Sequence, residues 1–121
     1  MKHFESYEFD CGCGCGCGKG YKDMNKDLLT KLDAARGYAD VPFIISSAFR
    51  CKKHNSDVGG STTSSHMKGL AVDIFCPSSR DRFEILQGLF VAGFKRVGVA
   101  TTYCHVDADS DKTQNCMWVY K

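Results

Sequence analysis

The stretch that decides the fold runs from Ser64 to Cys76 and reads SSHMKGLAVDIFC. Its second half, from Leu70 to Cys76, is short and apolar, which predicts a largely buried strand. Asp73 lies inside this strand with apolar neighbours on both sides. Because an unpaired buried charge is costly, a carboxylate in such a place is expected to have a partner. His66, just before the strand, is one candidate.

A second polar cluster lies in a later strand-like run, YCHVDA, from Tyr103 to Ala108. Its His105 has a setting similar to that of Asp73. Two imidazoles and a carboxylate, here His66, His105 and Asp73, form the ligand set of an open catalytic zinc site. The residues alone also allow two satisfied core histidines and a loop-capping aspartate. The His-x6-Asp spacing is not the well-marked His-Glu-x-x-His pattern of helical zinc peptidases.

The flanking elements predict an α+β fold. Apolar residues at helical spacing predict a first helix over Asn25 to Ala39, with an apolar stripe of Leu28, Leu29, Leu32, Ala35 and Tyr38. A second helix, Arg80 to Gly93, is expected to be capped by Ser79 and to bury Phe83, Leu86, Leu89 and Phe90.

Apolar runs between and after these helices predict the strands. Pro42 to Phe49 is expected to form the first strand, and a polar loop with a helical turn near Lys52 to Ser56 fills Arg50 to Ser65. After the second helix come Lys95 to Ala100, Tyr103 to Ala108 and Cys116 to Tyr120, which we expect to form an antiparallel meander. Trp118 and Tyr120 alternate in the last run and are interpreted as core or cleft wall.

Composition sets limits on function. A chain of 121 residues suits one domain, spanning 1–121, with a Cys/Gly-rich N-terminal segment over 1–24. The net charge of +2 and the scattered basic residues do not indicate a nucleic-acid partner. No run of about 18 apolar residues predicts a membrane span, and the start lacks the apolar segment of a signal peptide. We therefore expect synthesis in the cytoplasm, no membrane partner and a monomer.

The motif from Ser46 to Ile74, with GVATTYCHVD at 98–107, resembles the zinc D-Ala-D-Ala carboxypeptidase and L-alanyl-D-glutamate peptidase family. The matching pattern is Ser-x-x-Arg, Ser-x-His-x-x-Gly-x-Ala-x-Asp and His-x-Asp. The short form is similar to peptidases encoded by single-stranded DNA phages. This resemblance implies a hedgehog/DD-peptidase-like fold, with a small antiparallel sheet packed with two helices. It also implies hydrolysis of peptidoglycan peptides in the wall of a bacterial host, with zinc-activated water as the nucleophile.

The resemblance also implies residue roles. His66, Asp73 and His105 would be the zinc ligands. Arg50 would anchor a substrate carboxylate or polarise the scissile carbonyl, since its rigid fork of donors suits either task. Ser47 and Ser64 would contact substrate.

The sequence departs from the family pattern at the position expected for the general base. Many relatives have an acidic residue three positions before the last histidine ligand, where this chain has Thr102. Asp107 is the nearest substitute, because residues two apart on a strand share a face. Asp107 could act as the base or could orient an imidazole by accepting its ring N–H. Both roles remain open from the sequence.

The tract CGCGCGCG, from Cys11 to Gly18, belongs to a chain with eight cysteines. We interpret it as a structural staple in a flexible loop, with disulfides to Cys51, Cys76, Cys104 or Cys116. A structural zinc at Cys11, Cys13, Cys15 and Cys17 is the less favoured alternative, because closed zinc sites more often use Cys-x2-Cys.

Two rival functions stay open. The first is a non-catalytic zinc-bearing binding module of the same fold, since fold alone does not secure catalysis. The second is a thiol-rich metal store built on the Cys-Gly tract. The sequence does not identify which peptide bond a peptidase would cut.

Overall fold

A computed structural model describes residues 2–13, 18 and 20–120, and within these ranges the chain forms three α-helices and five strands. The helices are α1 (Lys26–Tyr38), α2 (Lys52–Asp57) and α3 (Ser79–Val91), and the strands are β1 (Ile44–Ser47), β2 (Ala71–Phe75), β3 (Arg96–Val99), β4 (Tyr103–Asp107) and β5 (Cys116–Val119). Short 3-10 turns cover Ser6–Phe9, Gly20–Asp23 and Ser65–Lys68. In this described part of the chain, no helix combines the length and apolar character needed to cross a membrane.

The strands form one sheet in the order β1-β2-β4-β3-β5. All neighbours are antiparallel except β3 and β5, which are parallel. The predicted α+β class is confirmed, but the predicted antiparallel meander is wrong at its last strand. Because β2 and β3 already occupy both edges of β4, β5 pairs with the open edge of β3.

The two faces of the sheet have different compositions. On one face, Val72, Ile74, Val97 and Val106 are fully buried in the core beneath the helices. Side chains alternate between faces along a strand, so Asp73, His105 and Asp107 lie on the other face. The core is thus confined to one side of the sheet, and the ionisable residues share the other.

Helices α1 and α3 pack against each other through a close backbone contact. A Cβ added at Gly88 would lie 2.5 Å from the carbonyl oxygen of Ala35, so only glycine fits there. The neighbouring Ile85 and Leu89 of α3 are fully buried, as is Leu32 of α1. The absence of a side chain at position 88 lets the two helices approach closely along this line.

The packing of α3 against α1 shows that part of each predicted apolar stripe is wrong. Tyr38, Phe83 and Phe90 were expected to be buried, but they are 61%, 57% and 48% exposed. With α3 turned so that Gly88 faces α1, the side chains of Phe83 and Phe90 point toward solvent. The predicted cap of α3 also shifts by one residue, because Ser78 Oγ accepts the N–H of Asp81 at 3.1 Å.

Candidate metal centre

The centre of the polar face is a pair of residues on adjacent strands. Asp73 of β2 and His105 of β4 are direct partners in the antiparallel register. The Asp73 Oδ1 atom lies 3.0 Å from His105 Nδ1 and 3.3 Å from His66 Nε2. All three side chains are buried, and their ligand-type atoms lie within 4.8 Å of one another.

His66 reaches this point from the 3-10 turn that precedes β2. Ser64 caps the turn, since its Oγ accepts the N–H of His66 at 3.2 Å. The His66 Nδ1 atom lies 2.7 Å from the carbonyl oxygen of Ala48. Because a carbonyl can only accept, Nδ1 carries the proton and the lone pair of Nε2 faces Asp73.

The turn ends at Gly69, which has a left-handed backbone with φ of 69°. A Cβ at this position would lie 2.0 Å from the carbonyl oxygen of Asp23. The Gly69 carbonyl in turn accepts the N–H of Asn25 at 2.9 Å. The segment that carries His66 is therefore held against the start of α1 by contacts that require glycine.

His105 is oriented by a carboxylate on the side away from the cluster. Its Nε2 lies 2.8 Å from Asp107 Oδ2, while Asp107 Oδ1 accepts Arg96 Nε at 2.7 Å and the N–H of Asp109 at 3.1 Å. With Nε2–H donating to Asp107, the lone pair of Nδ1 faces Asp73. Asp107 is thus engaged through both oxygens.

The result is a buried point surrounded by acceptor atoms. In this tautomeric arrangement, His66 Nε2, His105 Nδ1 and Asp73 Oδ1 all present lone pairs to one another. Such a set repels itself unless a cation, a proton or a metal ion, lies among its members. Two neutral imidazoles and one carboxylate form a donor set that fits zinc.

The ionisation of these groups follows from the same contacts. Burial acts to raise the pKa of Asp73, but the attraction between its carboxylate and positive charge on His105 and His66 outweighs burial and holds that pKa well below its usual range. For His105, burial acts to lower the pKa, and the contacts with Asp107 and Asp73 raise it overall. The carboxylate is therefore ionised and the cluster attracts positive charge.

Arg50 lies beside the second oxygen of Asp73. Its Nη2 is 3.5 Å from Asp73 Oδ2, its Nε donates to Ser47 Oγ at 3.1 Å, and its Nη1 is 3.4 Å from Asn55 Oδ1. The predicted Ser47 is therefore a partner that orients the guanidinium. Asn55 was not predicted, because the polar sequence of α2, in which it lies, gives no sign of its burial.

A cleft of about 370 Å³ opens onto this cluster. Its walls include all three clustered side chains, the arginine Arg50 and the loop over 58–61. Trp118 and Tyr120 form an aromatic wall, in line with one of the two predicted interpretations. The Trp118 ring lies 5.6 Å from that of His105 and 4.8 Å from the guanidinium carbon of Arg96. Sequence analysis missed Arg96, whose only signal was its place at the start of a strand.

Comparison with known families shows which family this fold belongs to. The sequence model described as Peptidase M15 matches residues 2–109 of the chain. The chain belongs to the Peptidase M15 family. No curated protein gives a significant sequence match.

Membership of the Peptidase M15 family supports a zinc metallopeptidase and confirms the resemblance found in the sequence. The family is zinc-dependent, and His66, Asp73 and His105 form a plausible site for that ion. The matched region contains all three. The aromatic wall of Trp118 and Tyr120 lies beyond it.

The cysteines of this M15 chain differ from the expected pattern. Cys76, Cys104 and Cys116 carry thiols, so the predicted disulfides to them are wrong. Cys76 and Cys104 are fully buried in the core. Cys13 is disulfide-bonded. The predicted Cys15 and Cys17 ligands lie outside the described residues.

Proposed function

We propose that the chain is a zinc peptidase that hydrolyses an amide bond in bacterial peptidoglycan peptides, with His66, Asp73 and His105 as metal ligands. The observation that carries this proposal is the convergence of three buried acceptor atoms on one point beside an open cleft. Membership of the Peptidase M15 family supports the reaction class. When bound, zinc supplies a Lewis acid that activates water and polarises a carbonyl.

Arg50 is the group we assign to substrate binding. Its guanidinium is fixed by Ser47 and Asn55 and lines the cleft next to the ligand Asp73. A fixed, planar fork of donors matches the two oxygens of a substrate carboxylate. Ser64 also lines the cleft; its oxygen already accepts the His66 N–H, so its hydroxyl proton remains for a substrate acceptor.

For Asp107, the contacts favour the orienting role over the role of general base. Both of its oxygens are occupied, one by His105 and the other by Arg96 and a backbone N–H. Burial acts to raise the pKa of Asp107, but the hydrogen bonds from His105 and Arg96 outweigh it and lower that pKa. A carboxylate held in this way fixes the tautomer of His105 and is poorly placed to collect a proton from water.

The occupied state of Asp107, with Thr102 at the position where relatives have an acid, favours a second candidate: a zinc-bearing binding module without turnover. Both candidates need the metal ligands and Arg50, and they differ in whether a bond is broken. Purified peptidoglycan incubated with the zinc-loaded chain discriminates between them. Release of amines that 1,10-phenanthroline abolishes supports the peptidase, whereas chelator-sensitive binding without amine release supports the module.

The same digestion identifies the bond. Mass spectrometry of the soluble products separates loss of a terminal D-Ala, expected of a carboxypeptidase, from cleavage within the peptide, expected of an endopeptidase.

We place the site of action in the cell wall because the proposed substrate is there. Sedimentation analysis of the loaded chain tests the expected monomer.

A further inference from the structure

A second cluster of ligand-type atoms lies apart from the cleft. The sulfur atoms of Cys11, Cys13 and Cys51 lie within 4.8 Å of one another. They come from the N-terminal tract and from the start of α2, and Cys11 and Cys51 are 40 residues apart. None of the three lines the cleft. The proposed peptidase reaction makes no use of them.

The local contacts suit thiolates. Cys11 Sγ accepts the backbone N–H of Cys51 at 3.4 Å, and Cys51 Sγ accepts the N–H of His54 at 3.3 Å. Hydrogen bonds from N–H groups to sulfur stabilise its anionic form. All three cysteines are partly buried, which limits solvent while leaving a path for an ion.

The spacing also suits a tetrahedral metal. With a Zn–S length of 2.3 Å, two thiolates of one tetrahedral site are roughly 3.8 Å apart. The sulfur atoms in this cluster are at most 4.8 Å apart. The difference from the distance of roughly 3.8 Å in a tetrahedral zinc site is small enough for a rotation of the cysteine side chains to close. The two ends of the tract also lie together, since the N–H of Cys11 donates to the carbonyl of Gly18 at 2.8 Å.

Cys13 is disulfide-bonded in this structure, so its sulfur becomes a ligand only after reduction. A thiol reductant supplies two electrons and two protons by exchange, is itself oxidised to a disulfide, and converts the Cys13 disulfide into two thiols. Binding of a divalent cation by three thiols then releases three protons. These steps balance with no further reactant.

We propose that the reduced protein binds a second, thiophilic divalent cation through Cys11, Cys13 and Cys51. This ion would tie the N-terminal segment to Cys51, the residue directly after Arg50. It would close a long loop of chain and so stabilise the fold, as a disulfide between the same segments would. It would also fix the position from which Arg50 enters the cleft.

Cobalt(II) is the probe for the test, because thiolate ligation gives it charge-transfer absorption that imidazole and carboxylate ligands lack. The full chain is reduced with a phosphine under nitrogen, desalted and titrated with Co²⁺, and bound metal is measured by mass spectrometry. We expect a second equivalent of metal together with the charge-transfer band. His66→Ala should lose the equivalent in the cleft and keep the band.

Cys11→Ser and Cys51→Ser should each lose the charge-transfer band and the equivalent of Co²⁺ bound at the cysteines. Each should keep the equivalent bound in the cleft. Cys116→Ser, a change at a partly buried thiol on β5, is the matched control and should keep both. Circular dichroism checks that each variant is folded. Absence of the band in the reduced wild type, or its full retention in both Cys11→Ser and Cys51→Ser, overturns the proposal. Because His66→Ala separates the two sites, neither result bears on the peptidase.

Discussion

Asp73 and His105 are direct cross-strand partners, and their side chains meet with 3.0 Å between Asp73 Oδ1 and His105 Nδ1. Directly opposed residues on adjacent strands are kept close by the sheet itself. The third member, His66, is brought in by a turn, which the Ser64 cap and the contact of Gly69 with the start of α1 hold in place. Two members of the cluster are therefore positioned by the sheet and the third by a turn that is held from outside it.

Replacing either histidine of the cluster should remove bound zinc and activity together. His66→Ala and His105→Ala each leave two of three ligand atoms, too few to retain zinc through gel filtration. Metal content by mass spectrometry and amine release from peptidoglycan are the readouts. His3→Ala, far from the cleft in the N-terminal segment, is the histidine control and should match wild type. Full zinc stoichiometry in both cluster variants would refute the ligand assignment.

Asp107→Asn should weaken zinc binding by roughly 10- to 100-fold, as expected when a carboxylate that orients a metal-binding imidazole is lost. The amide can donate to His105 Nε2, which moves the ring proton onto Nδ1, where it blocks the lone pair. A competition titration with a chromogenic chelator gives the affinity. Activity should recover substantially at saturating zinc. An unchanged zinc affinity with a collapsed kcat at saturation would instead identify Asp107 as the general base.

Arg50→Lys should raise KM by about 10-fold with a smaller change in kcat, because lysine keeps the charge but loses the paired donors. The lost hydrogen bonds to Ser47 and Asn55 also release the cation from its fixed position. Steady-state kinetics on a defined muropeptide measure the effect. Arg80→Lys, at an exposed position on α3, is the control. Equal kinetics for Arg50→Lys and wild type would count against the carboxylate anchor.

Gly69→Ala should lower the free energy of unfolding by more than about 2 kcal/mol, since a left-handed alanine alone costs about 1–2 kcal/mol. The added methyl would also meet the carbonyl oxygen of Asp23. Gly59→Ala is a matched control, because its φ of 72° is nearly the same and nothing lies within 4 Å of its Cβ. The free energy of unfolding of each variant is measured by urea denaturation. The loss in Gly59→Ala gives the cost of backbone strain, and the additional loss in Gly69→Ala gives the cost of the collision with the Asp23 carbonyl oxygen. Equal losses would mean that the Asp23 contact adds nothing.

Acid should destabilise the fold through Asp109, whose carboxylate accepts Ser65 Oγ at 2.7 Å and Lys68 Nζ at 3.1 Å. Burial acts to raise the pKa of Asp109, but these hydrogen bonds outweigh it and lower that pKa. A lowered folded-state pKa means that the stabilisation is present above the unfolded value of about 3.9 and is lost as pH falls through the folded value.

Melting temperatures between roughly pH 2 and pH 7 measure this dependence. Asp109→Asn keeps an acceptor for Ser65 and removes the titration, so its curve should fall less steeply in acid than that of the wild type. Asp40→Asn, which changes a highly exposed carboxylate, is the control for the change in net charge. Parallel curves for wild type and Asp109→Asn would exclude Asp109 as a source of acid sensitivity.

Sequence was most informative where local chemistry decides structure. The apolar run around Asp73 predicts its strand, and the helical spacing of Leu28 and Leu32 predicts α1, in which both are fully buried. The apolar stripe of α3 was predicted less well. Its orientation depends on Gly88 meeting Ala35, a contact between helices far apart in sequence that no periodicity reveals.

The candidate metal centre was also predictable only in part. The residue types around His66, Asp73 and His105 indicate metal chemistry, yet their convergence depends on the register of β2 against β4, which is a long-range property. The partner of β5 could not be predicted from a polar loop of ordinary composition. Arg96 was missed because its contact with Asp107 depends on the register of β3 against β4, which the predicted pairing of these two strands does not specify.

The parallel addition of β5 at the edge of β3 has one more consequence. Trp118 of β5 and Tyr120 just after it line the cleft at an edge of the sheet, since no strand within the described residues pairs with the outer side of β5. Exchanging residues 110–120 would reshape the wall of the cleft and, because the Thr113 carbonyl and the Trp118 ring both contact Arg96, would also loosen the arginine that holds Asp107. The shape of the cleft and the support of His105 are thus coupled through Arg96, so a redesign of the aromatic wall has to preserve that arginine's contacts.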